Sequence, residues 1–383
     1  MSKVYAPDDP QFADLGPERF VLTQLDDSIL DAKFETKPIG FFKDAAIRFS
    51  KSRVSIIALI VIAIVLAMAI VGPNMNEYGY NDQNMDYINL PPKIPAFAKS
   101  GIFAGTRVLL NRRVDALGDT SRYPEGCIVH KSNYQVINGV ELCDVTVDYY
   151  KYSGVDDDVY FMFGTDYLGR DLWTRVWRGA RISLVIAFVS VILNSTIGLI
   201  YGSIAGYYGG SIDMVMMRIT EIINAMPTVV VVTLFILYFG NGLLSIIMAL
   251  VVQNWIGTAR MIRAQFYRFK NSEYVLAART LGVGDRTLMS RHILPNSIGP
   301  IITRTMVAIP SAIFTESFLA YIGLGIRAPE SSIGVLLSEG QKVLMHYPEQ
   351  TLFPALLISV LMIAFNMLSN GLRDAFDPTQ RGA

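Results

Sequence analysis

Four long stretches of this 383-residue chain carry no charged side chain: 54–76, 182–212, 222–259 and 350–372. A helix of roughly 20 apolar residues crosses a bilayer core. Buried helices of soluble proteins rarely keep so many uncharged residues together at four sites, so the pattern predicts a polytopic membrane protein. Charged residues make up only 17% of the chain, against about 25% in ordinary globular domains. Lys plus Arg and Asp plus Glu both total 33, so no global basic field exists for nucleic acid. Disorder requires low hydrophobicity and high net charge, which excludes it here. Two cysteines do not make a disulfide scaffold. The first apolar run follows some 50 polar residues and is too long for a signal-peptide core.

The stretch 222–259 exceeds one span and breaks at Gly240-Asn241-Gly242, a turn signal. A further span lies within 298–322, interrupted by Arg304 and Glu316. The expectation is an all-α fold of six transmembrane helices at about 54–73, 182–206, 216–239, 243–260, 298–322 and 351–371. Lys37, Lys43, Arg48, Lys51 and Arg53 precede the first span, and Arg260, Arg263, Arg268, Lys270, Arg279, Arg286 and Arg291 follow the fourth. The positive-inside rule places both segments, and both termini, in the cytoplasm.

The division along the chain is then a cytoplasmic tail and interfacial helix (1–53), a first span (54–73), an extracellular segment (74–163), a five-span core (164–372) and a C-terminal tail (373–383). Residues 38–50 read as an amphipathic helix with Ile39, Phe42, Ala46 and Phe49 on its apolar stripe. Within 74–163, Asn138-Gly139 between two β-rich runs is a strong hairpin signal and predicts a small β-rich subdomain. Cys127 and Cys143 lie there. The oxidising side favours a disulfide, whereas a two-residue turn sets Cys143 opposite Tyr134; both states stay open.

Catalytic patterns are missing. The sequence holds no G-x-x-x-x-G-K-[S/T], no H-E-x-x-H and no C-x-x-C, and His130, His292 and His346 are widely separated. Neither a metal site nor an enzymatic role is expected.

The loop after the fourth span is more informative. Ser272 is a good N-cap, Glu273 suits the positive helix end, Arg279 the negative end, and Gly282 is a natural C′ residue. The helix 273–281 would be about 14 Å long. Asp285 would cap a second short helix that Pro295 follows, giving an elbow with Tyr274, Ala277, Ala278 and Leu281 on one face. Such an elbow suits a cleft in a cytoplasmic partner; a plain positively charged inner loop is the alternative.

Ala277-Ala278, Gly282 and Leu294-Pro295 resemble the EAA loop of ABC importer permeases. The runs 164–172 (Gly-Thr-Asp-Tyr-Leu-Gly-Arg-Asp-Leu), 179–184, 291–296 and 371–378 resemble the C-type permease subunit of the oligopeptide/dipeptide/nickel importers. Leu276 and His292 replace the usual Glu and Ile of the loop. The resemblance implies the type I ABC importer permease fold. It also implies a homologous B-type permease subunit, two cytoplasmic ATPase subunits that bind ATP and Mg, and an extracellular solute-binding lipoprotein. The setting would be a bacterial inner membrane, and the cargo peptide, with nickel or another small solute as the alternative. ATPase coupling would fall to Glu273, Ala277, Ala278, Arg279, Gly282, Leu294 and Pro295.

Intramembrane polar residues are pathway candidates: Glu221, Asn224, Glu316 and Asn366, with helix-to-helix bonding as the competing role. Asp166, Arg170 and Asp171 are candidates for an outer gate or binding-protein contact, against a salt-linked turn that fixes the start of the second span. Gly198, Gly202 and Gly206 have helix-packing spacing. A receptor would need a signalling domain, and a secondary transporter would show internal repeats; neither pattern is evident.

Overall fold

A computed structural model describes residues 40–98, 101, 103–156 and 158–376. Among them, five helices are long and apolar enough to cross a membrane: Arg53–Asn74, Leu172–Tyr208, Leu243–Phe269, Asp285–Leu324 and Glu349–Phe376. The third expected span is not one rod. It is two helices, Gly210–Asn224 and Thr228–Phe239, bent by 78°. Pro227 at the break has no N–H to donate, and the bend frees carbonyls of the preceding turn. Gln253 of the Leu243–Phe269 helix takes them up: its Nε2 donates to Met226 O at 2.6 Å and Ile223 O at 3.2 Å. Its Oε1 accepts from Thr228 Oγ1 at 2.8 Å. A broken helix persists at membrane depth only when such partners exist.

Helix α1 (Phe41–Lys51) precedes α2 (Arg53–Val71), which Ser52 caps. The inward side of α1 carries Ala45, with Phe49 partly buried, whereas Ala46 and Phe42 of the expected stripe are exposed. Ile39 lies outside the described residues.

The longest element, α3 (Leu172–Tyr208), spans about 55 Å. It starts ten residues earlier than expected because its first turns hold arginines that each have a partner. Arg175 bonds Asp166 and, at 3.0 Å, Glu339. Arg178 pairs with Glu330 at 2.8 Å. Arg181 Nε donates to Ala69 O at 2.8 Å and Nη2 to Ile70 O at 3.0 Å, satisfying the last carbonyls of α2. Along α3, Gly198, Gly202 and Gly206 lie against Thr258, Ala259 and Arg263 of α6 (Leu243–Phe269). A Cβ on Gly202 would overlap the Ala259 carbonyl oxygen, so the two backbones pass at their closest there.

A second group gathers at the head of α3. Asp166 Oδ1 accepts the N–H groups of Leu168 (2.8 Å) and Arg170 (3.0 Å), and Oδ2 accepts Arg170 Nε (2.7 Å) and Arg175 Nη1. Asp171 is the N-cap, accepting from Thr174 N at 2.9 Å and Asn76 Nδ2 at 2.6 Å. Burial raises the Asp171 carboxyl above its ordinary range, and the Thr174 and Asn76 bonds oppose that rise. Glu339 reaches this group from a helix that sequence reading missed, Ile333–Val343, capped by Ser332 and packed on the Glu349–Phe376 helix.

Between α2 and α3, strands β1 (Thr106–Arg113), β2 (Ile128–Ile137) and β3 (Val140–Asp148) form an antiparallel sheet ordered β1-β3-β2. Asn138 and Gly139 both have positive φ and close the expected hairpin, with Ile137 opposite Val140. Bulges follow in β1 and β2, and Asp144 of β3 serves both, accepting from Asn111 N (2.8 Å) and Asn133 Nδ2 (3.0 Å). Alternate residues Cys143, Val145 and Val147 face a small core with Cys127, Leu117 and Tyr123.

Two outcomes are expected from this packing. Gln253→Leu strands the Met226 carbonyl and should cost about 1–3 kcal/mol, read as a lower thermal midpoint in detergent; an unchanged midpoint would show that the bend holds itself. Asp166→Ala leaves Arg170 and Arg175 buried with Glu339 as their one remaining counter-ion and should cost about 1–3 kcal/mol in the same measurement.

Candidate coupling surface and pathway residues

Helix α7 (Glu273–Thr280) is seated at the far end of α3 from the sheet. Val275 and Ala278 point into an apolar cluster with Tyr207, Ile262, Phe266, Leu288 and Ile293. Ala278 therefore belongs to the seat, not to the outer face on which sequence spacing put it. The outer face consists of Glu273, Tyr274, Leu276, Ala277, Leu281 and Gly282, all exposed. Leu281 is 84% exposed.

Gly282 has φ +81°, and the helix closes with Gly282 N–H donating to Arg279 O (3.0 Å) and Val283 N–H to Ala278 O (3.2 Å). This is the six-to-one and five-to-two pair of a glycine-terminated helix. Ser272 stands at the N-cap with extended backbone but makes no side-chain cap bond. Arg279 turns toward its own chain, donating from Nη2 to Tyr207 Oη at 3.3 Å, and Tyr207 in turn donates to Asp285. Asp285 thus sits in the first turn of its helix, after an N-cap at Gly284.

The expected second short helix does not stop before Pro295. Residues Leu288–Ile293 are wound as a π-helix that runs directly into α8 (Leu294–Leu319). Leu294 N–H reaches back five residues to Met289 O. Pro295 lacks the N–H of a regular turn, and the wider turn accommodates it. Leu294 is partly buried in the seat and Pro295 is exposed.

The polar span residues fall into two groups. Glu221, paired with Arg218 at 2.6 Å, is exposed, as are Asn224 and Asn366. Glu316 is 1% exposed and accepts from Ser183 Oγ of α3 at 2.9 Å; that Oγ also receives Ile333 N–H at 3.2 Å. Glu316 therefore links three elements and has no free face in this arrangement. Sequence reading passed over Asn194, Asn254, Thr258 and Ser311, which with Arg304 line a cavity of about 140 Å³ between α3, α6 and α8. Asn194 stands beside Ser195 and Thr196 and Asn254 beside Gln253, and only their convergence with Thr258, Ser311 and Arg304 marks them.

Asp166, Arg170 and Asp171 are each 2% exposed, so they present no surface to another protein. Their arrangement is that of the salt-linked turn. Cys127 and Cys143 are buried, unbonded thiols of the sheet's core. Cys143 lies opposite Arg112 of β1, and the bulges in β2 shift the simple hairpin register before position 127 is reached.

Residues 198–382 match the family described as binding-protein-dependent transport system inner membrane component. Residues 40–92 match the N-terminal TM domain of oligopeptide transport permease C. The oligopeptide transport system permease protein OppC of Bacillus subtilis (strain 168) is 34% identical over 349 residues, covering 91% of this chain and 93% of that protein. The dipeptide transport system permease protein DppC of Lactococcus lactis subsp. cremoris (strain MG1363) is 36% identical over 351 residues, covering 90% and 93%. DppC of B. subtilis reaches 47% identity over 220 residues, 57% of this chain and 69% of that protein. The chain belongs to the inner-membrane permease components of binding-protein-dependent ABC transport systems, alongside the OppC and DppC proteins.

Proposed function

We propose that this chain is one half of the membrane passage of a peptide importer. A homologous permease subunit supplies the other half. An extracellular solute-binding protein delivers di- or oligopeptides, and two cytoplasmic ATPase subunits bind ATP and Mg and supply the power stroke. The relatives' names carry the peptide assignment, since OppC and DppC serve oligopeptide and dipeptide transport systems. In this arrangement the bent pair Gly210–Asn224 and Thr228–Phe239 counts as one crossing, giving six. Both termini and α7 then lie in the cytoplasm of a bacterial cell, and the sheet lies outside.

The observation that carries the coupling assignment is the two-sided build of α7. Val275 and Ala278 anchor it to the bundle, while Leu276, Leu281 and Gly282 remain uncovered. Exposed leucines on a short, rigidly seated helix fit a cleft on another protein. Leu276 stands where related loops carry Glu, so the contact is mainly apolar, with Glu273 as its acidic member. Because α7 shares its apolar seat with the ends of α3, α6 and α8, a push on it is carried into the spans.

Glu221, Asn224 and Asn366, exposed on this chain alone, would face the second permease subunit or the passage between the two. The sheet leaves Val108, Val129, Tyr134 and Val136 exposed, an apolar surface that suits docking of the binding protein.

In the reconstituted complex, Leu281→Asp should leave folding intact and sharply reduce ATP-driven uptake of a labelled tripeptide, with ATPase subunits lost on co-purification. Full transport by this variant would place coupling elsewhere. Deleting the sheet, about 104–148, should weaken binding-protein affinity without affecting ATPase co-purification; unchanged affinity would remove the sheet from docking.

A further inference from the structure

Arg304 is an arginine on α8 within a span otherwise rich in apolar side chains. An ionisable side chain at such a position is costly unless a partner or a wet cavity receives it. Among the described residues Arg304 forms no ion pair. Its guanidinium lies over Gly257 of α6, where a Cβ would come within 2.7 Å of Nη2. The glycine thus leaves room for the charged group against the α6 backbone. Beside it lies the cavity lined by Asn194, Ser195, Asn254, Thr258 and Ser311. Asn194 is 6% exposed, and its Oδ1 has no hydrogen-bond partner. Buried amide oxygens normally have one. The wall therefore offers an exposed guanidinium and several hydroxyl or amide groups around a space of about 140 Å³.

We propose that this cavity is a cargo subsite in which Arg304 receives the α-carboxylate of a peptide. The inference rests on the peptide-importer reading and adds the part of the cargo recognised. A guanidinium matches a carboxylate with paired donors. The site ignores side chains, as befits a carrier of varied peptides. The second arginine nearby, Arg373, lines a separate space with Gly299, Pro300, Thr303 and Phe376 that also opens onto Arg304. A lipid phosphate drawn to those two arginines is the competing ligand.

The test compares trialanine with trialanine amide in vesicles holding the complete importer and its binding protein. Binding-protein preference cancels, because permease variants are compared with each peptide. Arg304→Gln should lower trialanine uptake about tenfold, the scale of one lost charge-assisted hydrogen bond, and leave the amide within about twofold. Arg304→Lys should restore most of the difference. Gly257→Ala, which keeps the charge but displaces it, should give an intermediate loss for trialanine only. Equal loss of both peptides in Arg304→Gln and Gly257→Ala, or no loss of either, overturns the proposal. So does a loss that tracks the phosphatidylglycerol content of the vesicles. If the wild-type importer moves neither peptide, the peptide reading itself fails; if it moves both and Arg304→Gln changes nothing, only the subsite fails.

Discussion

The close passage of α3 against α6 underlies the rest of the molecule. Three glycines one turn apart remove the side chains that would separate the two backbones. In lipid, where the hydrophobic effect does not drive helices together, such contact is a main source of association. With that pair fixed, the head of α3 holds the Asp166 group and the sheet, and its tail holds the seat of α7. One helix of about 55 Å therefore ties the two faces of the protein. Its ends are pinned by different forces. At the head, buried ions pair with one another; at the tail, apolar side chains converge on Val275 and Ala278.

Much of this was legible in the sequence, and the failures have physical reasons. The glycine-terminated α7, the Asn138-Gly139 hairpin and the positions of most spans depend on local chemistry, which a linear reading captures. The start of α3 was missed because a charge count treats Arg175, Arg178 and Arg181 as outside the helix, although each is satisfied by a carboxylate or a free carbonyl. The bend at Pro227 was missed because its cost is met by Gln253, a residue 26 positions away. Helix Ile333–Val343 has no long apolar run to announce it and is held by Ser332 and its neighbours.

The candidate site was legible to a similar degree. Spacing alone put Ala278 on the outer face of α7, but a nine-residue helix can turn either side inward, and the position of the apolar seat decides. In a string of letters Asp166, Arg170 and Asp171 look like charges that face water. Their burial depends on Arg175 and Glu339, which approach from two other helices. The cavity beside Arg304 draws on three helices and was invisible for the same reason. Local motifs announce partners at short range, whereas convergent sites need the fold first.

The two π-wound stretches at either end of α8, Leu288–Ile293 and Ala320–Leu324, have a mechanical consequence. Each departs from regular α-helical bonding, and Pro300 and Pro310 each remove one further backbone bond inside α8, so its bending is shared among four points. Arg304 and Glu316 lie on it about 18 Å apart, with Pro310 between them. The guanidinium by Gly257 and the carboxylate by Ser183 therefore sit on separate segments of one jointed helix.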